Sequence, residues 1–177
     1  NTGRYVTAEC FRYAATGENL AKENAQKSMH ALLRLEKVTG TPGVIARAFK
    51  HSINPTIDEE AFFFPHEWHQ SIVMPDYRWL GDLSVDQLNG WIIGLTDYYD
   101  FIADDVEKNK IMKAVDRVMS RILNNDMRII DVDGKMTLWG NLSPNIPHES
   151  LNALLSLSNL KIAHHITRQE KYAVKYN

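Results

Sequence analysis

The run Trp79-Leu80-Gly81-Asp82-Leu83-Ser84-Val85-Asp86-Gln87-Leu88 sets two carboxylates four residues apart beside an indole. Carboxyl groups of this kind exchange protons at a glycosidic bond, and an indole face can stack on a sugar ring. Hydrolysis of a glycoside takes two carboxyls, about 5 Å apart for retention and about 6.5–9.5 Å apart for inversion. Asp86 and Asp82 are therefore the candidate acid and base, with Trp79 and Gln87 as candidate substrate contacts. The same residues also spell the start of a helix. Ser84 and Gln87 have the spacing of a capping box, and Leu83 and Leu88 the spacing of a hydrophobic staple. Asp86 falls in the first turn, where the helix dipole favours an anion.

A second set lies near the start of the chain. Arg4, Tyr5 and Glu9 recur at four and five residues, so Glu9 can approach Arg4 or Tyr5 on one helix face. Glu9 is a candidate partner for Asp86 or Asp82. Arg4 and Tyr5 are the groups a lyase mechanism would use. The alternative is a structural ion pair, because an Arg and a carboxylate on a mostly buried helix need partners.

The most aromatic stretch is Phe62-Phe63-Phe64-Pro65-His66-Glu67-Trp68-His69. Its histidines are three apart, not four as in His-Glu-x-x-His, and the flanking prolines oppose a regular helix. The expectation is an aromatic loop without a metal, with Trp68 available to a carbohydrate subsite. Asp131-Val132-Asp133-Gly134 lacks the later ligands of a calcium loop and reads as a turn. Trp139 and Asn141 follow it and could face a cleft. His164 and His165 point about 100° apart on a helix and do not chelate one metal together. There is no phosphate loop, dinucleotide fingerprint or nucleophile elbow, so no cofactor is expected.

The elements that must position these residues are mostly helical. Apolar residues recur at three and four over 3–15, 18–38, 84–104, 107–125, 148–166 and 170–176. The helices alternate in kind: 84–104 and 148–166 are apolar or small nearly all round, whereas 18–38 and 107–125 carry one charged face. Each buried helix passes into an exposed one through a short junction with Thr or Asp at the N-cap (Thr16, Asp104, Thr167), and short junctions make antiparallel neighbours. Three hairpins with inner and outer members are the plan of an α/α toroid, about half of a six-hairpin ring. The expected fold is thus all-α, a partial toroid in a single domain over 1–177. A long loop occupies 39–79. One β-hairpin insert occupies 127–140, turning at Asp133-Gly134.

Composition narrows the partners. Lys+Arg number 20 against Asp+Glu 22, a net charge of −2, which offers no chain-wide nucleic-acid footprint. No apolar run reaches membrane-spanning length. The one cysteine, Cys10, excludes an intramolecular disulfide and reads as a buried small hydrophobe.

Several motifs together resemble a known family: Gly3-Arg4-Tyr5-Val6-Thr7-Ala8-Glu9, Glu36-Lys37-Val38-Thr39-Gly40-Thr41-Pro42-Gly43, the 78–87 run, Asp131 through Gly140, and Leu151-Asn152-Ala153-Leu154-Leu155. The chain resembles uncharacterised bacterial proteins similar to the six-hairpin glycosidase superfamily, over most of its length. The resemblance implies a glycosidase-like α/α toroid that hydrolyses or binds a carbohydrate, with a non-catalytic binding module or a structural part of a larger toroid as the alternative. Relatives commonly carry Ser-Ser-Asp where this chain has Ser84-Val85-Asp86, so no role passes to position 85. The chain starts at Asn1 without an initiator Met and stops inside a helical pattern. The expectation is a piece of a longer protein, closed by a homodimer or by the rest of the parent chain. A periplasmic or secreted location is preferred over the cytoplasm.

Overall fold

The computed structural model describes residues 2–53, 68–143 and 150–176. In chain order its elements are α1 (Thr2–Thr16), α2 (Asn19–Lys37), β1 (Ala48–His51), β2 (Trp68–Gln70), β3 (Tyr77–Leu80), α3 (Val85–Phe101), α4 (Asp105–Asn124), β4 (Arg128–Ile130), β5 (Met136–Asn141), α5 (Ser150–Thr167) and α6 (Glu170–Tyr176).

The helices form where an apolar stripe recurs at helical spacing. α2 buries Ala21, Ala25, Met29 and Leu32 and leaves Lys22, Glu23, Lys27 and Arg34 in water. α4 does the same with Ile111, Val115, Val118 and Ile122. α3 differs: Leu88, Trp91, Ile92, Leu95 and Tyr98 bury most of its girth, and it packs against α1, α2, α4 and α5. Each such side chain contributes about 1.5–3 kcal/mol on burial. The Trp91 indole Nε1 donates to the Leu32 carbonyl at 2.9 Å, so its polar atom is satisfied inside the core.

α1 and α3 touch backbone to backbone. A methyl at Gly94 would lie 2.7 Å from the Gly3 carbonyl oxygen, and one at Gly3 would meet the Gly90 carbonyl. One turn further along, the Thr7 hydroxyl donates to Asp97 Oδ2 at 2.6 Å. The two helices therefore run in the same direction, at a distance only glycine permits.

The all-α expectation is wrong. The chain is mixed, 62% helical and 13% strand among the described residues. Segment 39–79, expected as a long loop, contributes a three-stranded antiparallel sheet in the order β1-β3-β2. Ala48 pairs with Leu80 and His51 with Tyr77 on one side of β3; Trp68 pairs with Leu80 and Gln70 with Arg78 on the other. Trp79 and Leu80 in the central strand are buried. Each strand has three or four residues, too few for alternation to stand out against turn residues.

The two-stranded sheet, β4 with β5, occupies the segment read as a hairpin and runs one residue past it to Asn141, and its turn differs from the expected one. Gly134 N–H donates to the Asp131 carbonyl at 3.2 Å, and Asp131 N–H to the Lys135 carbonyl at 2.9 Å. Gly134 has φ +79°, whereas Asp133 is not left-handed. This is a three-residue loop whose glycine takes the left-handed position.

The junctions use two devices. Asp104 accepts from Glu107 N–H at 2.8 Å, and Glu107 returns a bond to the Asp104 N–H, completing the capping box. Ser84 and Gln87 do likewise at α3. Thr16 and Thr167, expected as N-caps, instead donate back to the Arg12 and Ala163 carbonyls at 2.8 and 2.7 Å. Each also accepts from the N–H two residues on, and the residue between is left-handed: Gly17 at φ 68°, Arg168 at φ 58°.

Candidate functional site

A cleft of about 580 Å³ opens at the N-terminus of α3. That volume is in the range of small-molecule sites, about 300–1,000 Å³. Three elements wall it. Ser84, Val85 and Asp86 come from the N-cap and first turn of α3, Leu138 and Trp139 from β5, and Leu151 and Asn152 from the start of α5, with Arg47 reaching in from the β1 side.

The positions follow from a small network centred on Asp82. This residue is left-handed, at φ 58°. Its N–H donates to Asp131 Oδ2 at 2.6 Å, and its own Oδ1 accepts from Leu138 N–H at 2.7 Å. Its carbonyl accepts from Arg47 Nε at 3.0 Å. One residue on, the Leu83 carbonyl accepts from the Thr137 hydroxyl at 2.8 Å. The 81–84 turn is thus tied to β5, to the β4–β5 loop and to Arg47. Gly81 makes this possible, since a Cβ there would meet Asp131 Oδ2 at 2.6 Å.

That tie turns Leu138 and Trp139 outward together. They are 56% and 59% exposed, with Thr137 and Gly140 buried on either side. Two adjacent outward side chains break the strand's alternation, and β5 carries a register irregularity against β4. Asp86 is exposed at the cleft wall and has no partner among the described residues.

The structure separates the expected site residues. Asp86 and Trp139 meet in the cleft. Asp82 is its scaffold, with one carboxylate oxygen committed to a backbone N–H. Gln87 is spent on the capping box: its N–H donates to Ser84 Oγ at 3.4 Å and its Oε1 accepts from Ser84 N–H at 3.3 Å. It also lines a neighbouring hollow of about 370 Å³ with Arg47 and Trp91. Trp79, expected as a sugar platform, is 2% exposed and stacks on His69 with centroids 4.4 Å apart. Its burial leaves no face for a ligand. Trp68 is half-buried at the sheet edge, under the Lys50 ammonium at 4.7 Å.

Glu9 is buried between α1 and α2, 3.5 Å from Arg12 Nη1 and 3.5 Å from Asn24 Nδ2. Arg4 and Tyr5 are exposed on α1, and none of these three lines the cleft. Among the described residues Asp86 is therefore the one carboxylate on the cleft wall. His66 and Glu67 lie outside the described residues. Among those described, no three His, Cys, Asp or Glu side chains gather as a metal site, and no helix is long and apolar enough to cross a membrane.

Arg47, Leu138 and Asn152 were not legible as site residues. Arg47 stands in the stretch read as a loop, and nothing in its neighbours marks it. Leu138 lies inside the segment read as a β-hairpin, with nothing in its type to mark it. The Asp82 contact, across 56 residues, and the Thr137 bond to the Leu83 carbonyl turn it out.

Two groups away from the cleft are shifted by their surroundings. Burial pushes the Tyr98 phenol up, reinforced by its bond to Glu107 at 2.9 Å. Burial also raises the Asp97 carboxyl, against the lowering effect of the Thr7 hydroxyl.

Comparison with protein-family models, with curated proteins and with solved structures found no match to this chain. The resemblance to six-hairpin glycosidases rests on its sequence motifs alone.

Proposed function

We propose that this chain binds a carbohydrate in the cleft between α3, β5 and α5. The observation that carries the reading is Trp139, an indole more than half exposed on a strand that walls a cleft also holding the unpartnered carboxylate of Asp86. An outward indole offers a flat apolar face to the C–H side of a sugar ring. Asp86 accepts hydrogen bonds from hydroxyls, and Asn152 both donates and accepts. The cleft sets apolar side chains (Leu138, Trp139, Leu151) beside polar ones (Ser84, Asp86, Asn152), and convergent polar groups are what orient a ligand in a small-molecule site. Binding is favoured over hydrolysis because a glycosidase uses two carboxyls across the scissile bond, and the described wall supplies one.

The test is calorimetric titration with a panel of neutral and acidic oligosaccharides, followed by chromatography of the titrated glycan. Saturable binding, weakened about tenfold or more by Trp139→Ala and by Asp86→Asn, with the glycan recovered intact, supports the reading. Binding that survives Trp139→Ala, or no binding across the panel, removes it. Release of smaller sugars, lost in Asp86→Asn, restores the hydrolytic alternative.

A second reading is carried by α5. Leu151, Leu154 and Leu157 are exposed at three-residue spacing, while Ser156 and Asn159 are buried. Such a face suits self-association, with a second copy covering it. Light scattering tests this: dimers that Leu154→Lys dissociates support it, and a clean monomer at high concentration sinks it.

A further inference from the structure

A groove of about 460 Å³ runs between the C-terminal half of α2 and the middle of α4. Its apolar lining, taken as the floor, is Leu33, Ala114, Pro42 and the half-exposed Val73. Its walls carry Lys37 on one side and Lys110, Lys113 and Arg117 on the other. Glu36 is the acid among its lining residues, and it is already neutralised. It is 5% exposed, receives Arg117 Nε at 2.6 Å and Nη2 at 2.5 Å, and accepts from Gly43 N–H at 3.1 Å. Lys37, Lys110 and Lys113 have no ion-pair partner among the described residues. Three unneutralised cations therefore face an apolar trough, in a chain whose net charge is −2.

We propose that this groove receives an acidic peptide segment of another protein, with an apolar side chain in the trough and carboxylates on both flanks. Charge complementarity selects an anion, and the two-sided placement of the lysines selects one with charges on both flanks. Lys110 and Lys113 are one helical turn apart, so a single small anion satisfies one wall and leaves the other. The floor selects against nucleic acid, whose phosphates would leave Leu33 and Val73 uncovered. The Glu36–Arg117 pair, with Glu36 buried and Arg117 part-exposed, ties the two walls together before any partner arrives, which lowers the ordering cost of binding.

The probe is a short fluorescein-labelled peptide of leucines flanked by glutamates, followed by anisotropy on the whole chain. The expected result is saturable binding that falls steeply with salt, weakens about tenfold in Lys110→Glu/Lys113→Glu, and weakens in Val73→Ser. Both lysines are exposed, and circular dichroism on the double variant checks its fold. The proposal is overturned if the peptide does not bind, if the double variant binds it equally, or if polyglutamate without leucines or oligothymidylate binds as tightly. Trp139→Ala leaves this binding unchanged, which separates it from the glycan reading.

Discussion

The Asp82 N–H rests on the Asp131 carboxylate, 2.6 Å away, and this bond holds Asp82 in the left-handed region at φ 58°. A non-glycine residue there costs about 1 kcal/mol or more. The contact offsets that cost and aims the Asp82 carboxylate at Leu138. Asp131→Ala leaves a part-buried N–H unpaired, and the expected loss is about 1–3 kcal/mol. It is read as a lower urea midpoint at unchanged slope. Asp82→Asn keeps both the left-handed preference and an oxygen for Leu138, so its loss stays below about 1 kcal/mol. Equal losses in the two variants would remove Asp131 from this role.

Gly94→Ala tests the close crossing of α1 and α3. The new carbon would lie 2.7 Å from the Gly3 carbonyl oxygen and 2.8 Å from its Cα. Both are backbone atoms and cannot rotate away, so the helices must part. The expected cost is about 2–3 kcal/mol in denaturant unfolding. Gly134→Ala meets open space but sits at φ +79°, so it costs about 1 kcal/mol from strain alone. A Gly94→Ala protein as stable as Gly134→Ala would mean that the crossing is loose.

What was legible beforehand follows the range of the interactions. The capping boxes at Ser84–Gln87 and Asp104–Glu107 join residues three apart, so the residue types announce them. The buried stripes of α2 and α4 are equally local. The three-stranded sheet was not legible, because Ala48 finds Leu80 only through tertiary pairing and each strand is about one turn signal long. The candidate site divides the same way. Asp86 and Trp139 stand out by type, but nothing in the sequence says that Trp79 is the buried indole and Trp139 the exposed one. That choice is made by Asp82 reaching Leu138 and by Thr137 reaching the Leu83 carbonyl.

Arg168 repeats the backbone position of Gly17 without being glycine. Both follow a Thr that bonds back to its own helix, and both are left-handed. Arg168→Gly relieves that strain at some cost in unfolded-chain entropy, and the expected net gain is about 0.5 kcal/mol. Arg168→Val, β-branched at positive φ, is expected to lose about 1 kcal/mol or more. The pair is compared by thermal midpoint. A gain for both, or a loss for both, would refute the account of this junction.

Asp116 couples stability to pH. Burial alone would raise its carboxyl, but Lys171 at 2.8 Å, the Tyr172 hydroxyl at 2.7 Å and Gln169 outweigh burial and hold it below the ordinary 3.8. A depressed folded value stabilises above the unfolded value and loses that contribution as pH falls through the folded value. Asp116→Asn is therefore expected to cost about 0.5–1 kcal/mol at pH 7, with the gap to the unaltered protein closing below pH 3.8. A gap that stays constant down to pH 2 would exclude this carboxylate as its source.

Cys10 reports on whether α1 stays in place. It is fully buried against α3, and burial, with smaller contributions from Asp97 and Glu9, pushes its thiol up to about 12 from the ordinary 9.0. At pH 8 the thiolate fraction is then about one in ten thousand, against about one in ten for an ordinary thiol. Alkylation by iodoacetamide, followed by mass spectrometry, is expected to be at least a hundredfold slower in the native chain than in urea. Residual labelling should come from opening of the core, so it should speed up in Gly94→Ala in proportion to that variant's lost stability. Labelling of the native chain at the rate seen in urea would show that α1 detaches locally, and the glycine crossing with α3 would then not be what seats it.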